Sequence, residues 1–421
     1  MHFFHLSDLH IGKQLYGYSL LEDQEWILTE IYELIREKRP DGVLIAGDVY
    51  DKSVPAAEAV TVFDRFLTKV SQLEPKIPVL IISGNHDSPE RLAFGAKILS
   101  RQQIYVAGTC PQIPEDHLKK VTFQDEWGET EVWMLPFVKP GYVRKLMEES
   151  KKETDREDGA GEQRDRDGET EIKVKNGWEE IRRDYNEAVK FLLEREQVDT
   201  EKRNILISHQ FYTAGGETPK TSDSETISVG GLDQVDISCL APFSYVALGH
   251  IHKPQILIRD QAAFSGALEP IDRNDTGEHG YMEGRLVDGR IRTEFVPFAC
   301  RSYQQLVMPL HEETTQISLE EAVKSQIFRR GGRNIYRIIL QGMRSPDILL
   351  IPEKLKSLGN ITEVVDESWP AYDLEDLYKR YSGTLIGDYI GYFLAKGRMD
   401  TVEKKALYYG LQALLETSSR R

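Results

Sequence analysis

The sequence predicts an α/β protein of two domains, and three observations carry that prediction. Apolar runs of strand length alternate with stretches of helical periodicity over the first hundred residues. Five of the apolar runs lead directly into Asp, Asn or His. Beyond about residue 300 the pattern restarts as a smaller α/β module followed by two helices. At 421 residues the chain is long for a single core, so more than one domain is expected.

Residues 3–6, 43–46 and 79–82 are buried-strand runs, each closing on a loop. Between the first two, residues 22–38 carry Trp26, Ile27, Ile31, Leu34 and Ile35 at helical spacing. Residues 58–73 repeat the pattern with Val62, Phe63, Phe66, Leu67 and Val70. Strand, helix, strand, helix, strand is a parallel layout with right-handed crossovers. Residues 205–207 and 245–248 are two further strands that end on polar loops. Residues 132–135, 256–258, 280–287 and 291–296 are strands that suggest a mixed second sheet. Residues 148–171 are nearly all charged residues, Gly and Thr, so 148–176 is expected to be a poorly ordered insertion. A helix at 178–194 should follow it.

From residue 301 to 372 the sequence reads as a small βαβαβ module. Its strands are expected at 303–309, 334–340 and 361–365, and its helices at 319–328 and 347–358. Ser318 with Glu321 three residues later reads as the capping box of the first helix. The tail, 373–421, reads as a helical hairpin: one helix over 373–396 ended by Gly397, and another started by Asp400 and Glu403. Its aromatic-rich stripe either packs on its own module or forms a surface for a partner.

Three cysteines, Cys110, Cys239 and Cys300, are too few and scattered for a disulfide framework, and they read as free thiols of a reducing compartment. No apolar run reaches the roughly 18 residues of a membrane span, and no secretory leader is recognisable, so a cytoplasmic protein is expected. Lys and Arg number 53 against 69 Asp and Glu, a net charge of −16. That is the wrong sign for a protein that coats nucleic acid by releasing counterions. Metal ions or a partner's basic surface would have to offset phosphate charge.

The strand-end motifs are Asp8-Leu9-His10, Gly47-Asp48-Val49-Tyr50-Asp51, Gly84-Asn85-His86-Asp87, Ser208-His209 and Gly249-His250-Ile251-His252. Open α/β sheets bind ligands beyond their strand ends, so these loops imply one shared pocket. Two divalent ions roughly 3.5–4 Å apart need a bridging carboxylate, imidazoles and open positions for water and substrate. Asp48 is the expected bridge. Asp8, His10 and His252 would complete one ion's set, and Asn85, His209 and His250 the other's. Mixed nitrogen and oxygen donors suit manganese, iron or zinc better than calcium. His86, directly after Asn85, is expected to face the substrate as a catalytic group. Asp51 is its expected orienting partner, Asp87 the rival, and a turn-stabilising carboxylate the plain alternative for Asp51. Any one of these motifs alone is common turn chemistry; five together are not. His2, His5, His117, His279 and His311 match no motif and read as ordinary histidines, with His5 packed in the first strand.

In type and order, D-x-H, G-D-x-x-D, G-N-H-D, a lone His and G-H-x-H, these motifs resemble those of the calcineurin-like metallophosphoesterases. Within that superfamily, Ser7-Asp8-Leu9-His10-Ile11-Gly12-Lys13, Ser83-Gly84-Asn85-His86-Asp87-Ser88 and the stretch from Ala247 to Gln255 resemble the SbcD family of nuclease subunits. The resemblance implies a four-layer sandwich over 1–300, two mixed sheets flanked by helices. It implies that 301–372 caps the active site and helps to select DNA. It carries the ligand roles above onto Asp8, His10, Asp48, Asn85, His209, His250 and His252, with manganese as the metal. The implied activity is cleavage of DNA phosphodiesters, 3′–5′ on duplex ends and endonucleolytic on single strands and hairpins. An SbcC-type coiled-coil ATPase would bind the C-terminal helices, with a homodimer inside a heterotetramer. The chain has no phosphate-cradling Gly-x-x-x-x-Gly-Lys-Ser/Thr of its own, so any ATP dependence comes from elsewhere. A phosphomonoesterase or cyclic-nucleotide phosphodiesterase is the alternative on the same site motifs. A non-catalytic scaffold is a remoter one, because it need not keep a complete ligand set.

Overall fold

The apolar runs fold as strands, and alternation along each decides which layer it faces. The computed structural model describes residues 1–418 apart from 16, 158–176, 215–218, 222–232, 273–276, 288–289 and 299–300. They group into two units, Met1–Cys300 and Arg301–Arg421. The principal strands of the first unit are β1 (His2–Leu6), β2 (Gly42–Ala46), β3 (Val79–Ile82), β4 (Ile104–Ala107), β5 (Lys119–Asp125), β6 (Gly128–Leu135), β7 (Arg203–Ser208), β8 (Tyr245–Leu248), β9 (Gln255–Ile258), β10 (Ala262–Phe264), β11 (Gly280–Val287) and β12 (Arg290–Pro297). They form two six-stranded mixed sheets, in the orders β12-β11-β1-β2-β3-β4 and β9-β10-β8-β7-β6-β5.

Four layers follow from which residues each strand turns to each side. Phe4, Leu6, Val43, Ile45, Val79 and Ile81 pack under the helices α1 (Leu21–Lys38) and α2 (Ala57–Ser71). The alternate residues Phe3, Leu44, Ala46, Leu80 and Ile82 meet Val132, Met134, Ile205, Ile207, Tyr245 and Ala247 between the sheets. The outer face of the second sheet, with Trp133, Leu206, Val246 and Leu248, packs under the helices α3 (Pro140–Glu157) and α4 (Gly177–Arg195) through Val143, Leu146, Val189 and Leu192. Burying each such Phe or Leu contributes roughly 1.5–3 kcal/mol, which is why the strands carry almost no polar residue until they end.

The hairpin β11–β12 departs from expectation. Placed by sequence in the second sheet, it pairs antiparallel with β1 and extends the first. Gly284 explains the choice, because Phe3 fills the space a side chain there would occupy. The expected insertion at 148–176 overlaps α3 as far as Glu157, and its residues 158–176 lie outside the described residues.

In the second unit, β13 (Tyr303–Leu310), β14 (Ile335–Arg344) and β15 (Ile361–Asp366) form a parallel sheet. The helix α5 (Gln316–Arg330) packs Leu319, Val323 and Ile327 on it. Its capping box is Thr315 with Ser318, three residues earlier than the sequence suggests, because the Ser318 hydroxyl accepts from the Thr315 N–H. The helix expected at 347–358 shrinks to α6 (Pro352–Lys356), since Ile351 is held extended before proline. The helix expected at 373–396 is two, α7 (Leu374–Arg380) and α8 (Leu385–Lys396), interrupted where Gly383 adopts positive φ and Thr384 caps the next start. The last helix, α9 (Thr401–Ser418), begins on the expected box, with the Glu403 N–H donating to Asp400 at 2.8 Å and the Asp400 N–H to Glu403 at 3.2 Å. Ile386, Ile390 and Leu411 form a small core between these helices, and Tyr408 stacks on Trp369. Leu385, Tyr392, Leu394, Val402 and Tyr409 remain exposed. No helix among the described residues is long and apolar enough to cross a membrane.

Candidate metal centre

Five loops leave the two sheets and meet over the gap between them. Backbone geometry there is unusual: Asp8, His10, Asp48 and His250 all have positive φ. Non-glycine residues pay about 1–3 kcal/mol for such conformations and keep them only where the surroundings over-determine them. The surroundings do so here. The Asp8 N–H donates to Gly47 O at 3.1 Å and the His10 N–H to Asp48 O at 3.0 Å, stitching the first loop to the second. The His250 N–H donates to the Asp8 carboxylate at 3.0 Å. Gly84 and Gly249 permit the closest approaches, since a side-chain carbon at Gly84 would overlap Asp48 and one at Gly249 would overlap Ala46 O.

All seven expected ligand residues meet in this floor, and all but Asn85 are buried. His10 Nε2 and His252 Nε2 face each other at 3.2 Å, and His10 Nε2 lies 3.7 Å from Asp48. On the other side, Asn85 Oδ1 lies 3.0 Å from His209 Nε2 and 2.9 Å from His250 Nδ1. Asp48 lies 3.3 Å from His209 Nε2. Donor atoms of Asp8, His10 and His252 fall within 4.8 Å of one another, as do those of Asp8, Asp48 and His209 and those of His10, Asp48 and His86.

Burial and the neighbouring charges set the protonation states of these groups. Burial, reinforced by the Asp48 charge, raises Asp8 to about 7. Burial likewise opposes the charge on Asp48, but His209, His10 and His86 outweigh it and hold Asp48 well below the usual carboxylate range. His209 is driven down by burial and up more strongly by Asp48, Asp8 and Ala46 O, to about 9. Its Nδ1 must donate to Ala46 O, 2.7 Å away, so Nε2 is the atom turned to the carboxylate. Burial pushes His10 down to about 4, His250 to about 3 and His252 well below its ordinary value. His10, His250 and His252 are thereby neutral, the protonation state that ligates metal, whereas His209 would have to release its Nε2 proton to an incoming ion. His10 Nδ1 and His250 Nε2 are buried with no hydrogen-bond partner. Divalent ions fit this donor set.

His86 is half-buried beside His10, ring centroids 4.9 Å apart. Its Nδ1 bonds to Asp51 at 2.9 Å through the backbone carbonyl, whereas the sequence pointed to the carboxylate. That carboxylate is engaged by Lys13 Nζ at 2.9 Å. Asp87, the rival partner for His86, instead accepts the N–H groups of Val49, Tyr50 and Gly84. It ties the Asp48 loop to the Asn85 loop, and burial with the nearby Asp48 charge raises it to about 6.

Two supports escaped the sequence reading. Gln24 accepts from the Gly12 N–H and donates to His10 O at 2.9 Å, fixing the first loop. Its signal was present, as a polar residue on the apolar stripe of α1 one turn before Leu28. His5 is buried between the sheets, with Tyr245 Oη at 3.0 Å and Leu248 O at 3.1 Å. The carbonyl can only accept, so His5 Nε2 carries the proton and Nδ1 receives the tyrosine hydroxyl. It thereby pins the residue from which the Gly249-His250 loop departs.

Buried carboxylates and imidazoles converging on two clusters, at the ends of a two-sheet sandwich, define a metal-dependent phosphoesterase. Residues 1–254 match the calcineurin-like phosphoesterase family model, and the chain belongs to that family. It is similar to the SbcD component of the nuclease SbcCD of Staphylococcus epidermidis, 28% identical over 339 residues that cover 79% of each chain. It also overlaps the crystal structure of phosphopantetheinyl hydrolase from Mycobacterium tuberculosis at 14% identity, covering 62% of this chain and 87% of that one. The TM-score of 0.30 is too low to add to the fold assignment.

Proposed function

We propose that this chain is the nuclease subunit of a DNA end-processing complex, hydrolysing DNA phosphodiesters with two divalent ions, manganese foremost. One observation carries the choice of DNA over a small phosphoester. The similarity to the SbcCD component spans 339 residues, more than the 300 of the first unit, so it reaches into the second. A small-substrate phosphoesterase has no evident use for that unit.

In this reading Asp8, His10 and His252 would hold one ion and Asn85, His209 and His250 the other, with Asp48 placed to serve both. Bound there, divalent ions would supply Lewis acidity toward the phosphoryl group. His86 keeps the proton of Nδ1 on Asp51 O, so the proton it offers to the phosphoryl or leaving oxygen is the one on Nε2. Asp51 positions His86 through its carbonyl, while its carboxylate anchors Lys13. The exposed apolar residues of α8 and α9 are the docking face for a coiled-coil ATPase, which would supply ATP dependence. Residues 301–372 are assigned here, by the same resemblance, a part in selecting the DNA that is cut. The assembly is a heterotetramer built on a homodimer of this chain, in the cytoplasm, with 3′–5′ exonuclease and hairpin endonuclease activity.

The test runs end-labelled duplex DNA and p-nitrophenyl phosphate in parallel with manganese. Degradation of the DNA with little monoester turnover is expected. Monoester turnover without DNA cleavage, even with the ATPase present, would replace the nuclease reading with a phosphatase one.

A further inference from the structure

Between Glu321 and Asp347 the chain has no acidic residue and six basic ones, although its net charge is −16. Two of the six serve the fold: Arg337 pairs with Glu363 at 2.8 Å and Arg344 faces Asp366 at 3.8 Å. The other four, Lys324, Arg329, Arg330 and Arg333, are exposed and form no ion pair among the described residues. Phe328 stands among them, 87% exposed, in the last turn of α5. Lys324 precedes it by four residues and shares its face of the helix. The buried Val323 and Ile327 turn that face to solvent.

Basic residues in a final helical turn offset the helix dipole, which accounts for Arg329 and Arg330. It does not account for Arg333 beyond the turn, or for a phenyl ring left in water among cations. The backbone presenting them is fixed. The Gly331 N–H donates to Ile327 O at 2.9 Å, Asn334 Nδ2 to Arg330 O at 2.7 Å and Tyr336 Oη to Gly331 O at 2.8 Å. Asn360 Nδ2 donates to Arg333 O at 3.2 Å.

We infer that the turn after α5 is a contact for single-stranded DNA, with the four cations on phosphates and Phe328 stacked on an unpaired base. Charge complementarity selects a polyanion, and the ring selects one whose bases are free to stack. The substrate class rests on the nuclease reading above; the turn belongs to the second unit and the strand-end loops to the first. It also answers the acidic net charge, since the charge that meets DNA is local.

The experiment uses the full chain in EDTA with a fluorescein-labelled single strand and a blunt duplex, read by anisotropy at several salt concentrations. The variants are Arg329→Glu with Arg330→Glu, Phe328→Ala, and Arg259→Glu in the first unit as a charge control. The double variant should bind the single strand at least about tenfold more weakly, with a shallower salt slope. Phe328→Ala should lose roughly tenfold on the single strand, from one lost stack, and little on the duplex. All should hydrolyse bis(p-nitrophenyl) phosphate as the wild type does. Unchanged oligonucleotide binding in both patch variants, or an equal loss in the Arg259 control, overturns the inference. Failure of the nuclease reading looks different: wild-type chain with manganese would leave DNA intact while the patch variants still bound it more weakly.

Discussion

The strand-end loops of the first unit and the turn after α5 in the second expose opposite things. The loops hide polar groups: Asp8, Asp48, His10, His209, His250 and His252 are all buried at the sheet ends. The turn displays a phenyl ring and four cations to water. Chemistry on a phosphoester gains from low dielectric and fixed geometry, so its groups are sequestered and tied by backbone hydrogen bonds. Capture of a long polyanion needs reachable charge instead. The two should separate experimentally, because a small phosphodiester reports on the loops alone and an oligonucleotide on both.

The largest effect should come from Asp48, which touches both halves of the floor. Asp48→Ala should lower hydrolysis of bis(p-nitrophenyl) phosphate at least about a thousandfold, as loss of one member of an interdependent set does. Substantial residual turnover would mean that the carboxylate is not shared. Asp87→Ala leaves every ligand in place but frees three N–H groups of the two loops. Manganese affinity, by calorimetry, should fall about 10–100-fold, with activity recovering at excess metal. An unaltered affinity would reduce Asp87 to a bystander.

Removing metal should lower stability without unfolding the chain. At a hundredfold excess over the dissociation constant, each ion stabilises by about 2.7 kcal/mol, so EDTA should lower the melting temperature by several degrees. No shift would argue that the floor binds no ion tightly. A pH effect concerns His5, whose folded pKa burial lowers to about 3 from 6.5. Below pH 6.5 the unfolded chain takes up this proton and the folded chain does not. Stability from His5 is therefore complete above about pH 6.5 and lost as pH falls toward 3, at most about 1.4 kcal/mol per pH unit. In metal-free denaturant titrations, His5→Asn should flatten that dependence, and an identical slope would contradict the buried, neutral imidazole.

Much of this was legible in the sequence, for a physical reason. Ligand side chains sit where apolar strands end, and both the run of apolar residues and the residue that ends it are local signals. The supports of the loops are not local. Asp87 reaches across from one loop to the N–H groups of another, and His5 bridges two sheets through residues about 240 positions away. The hairpin β11–β12 was misassigned because pairing with β1 depends on Phe3 meeting Gly284, a contact no window of sequence contains. The break after α7 was missed because Gly383 lies inside a stripe that is otherwise continuous. Gln24 is a local signal too, as a polar residue on the apolar face of α1.

In the proposed centre the strand-end loops hold two ions, and His86 acts beside them without being needed to bind them. Metal content and DNA cleavage of wild-type chain and His86→Gln, measured on the same samples, test it most directly. Two manganese ions per chain are expected in both proteins, with cleavage by the variant reduced about 10²- to 10⁴-fold, the range for loss of a general acid. Cleavage at the wild-type rate, or loss of an ion together with His86, would contradict it.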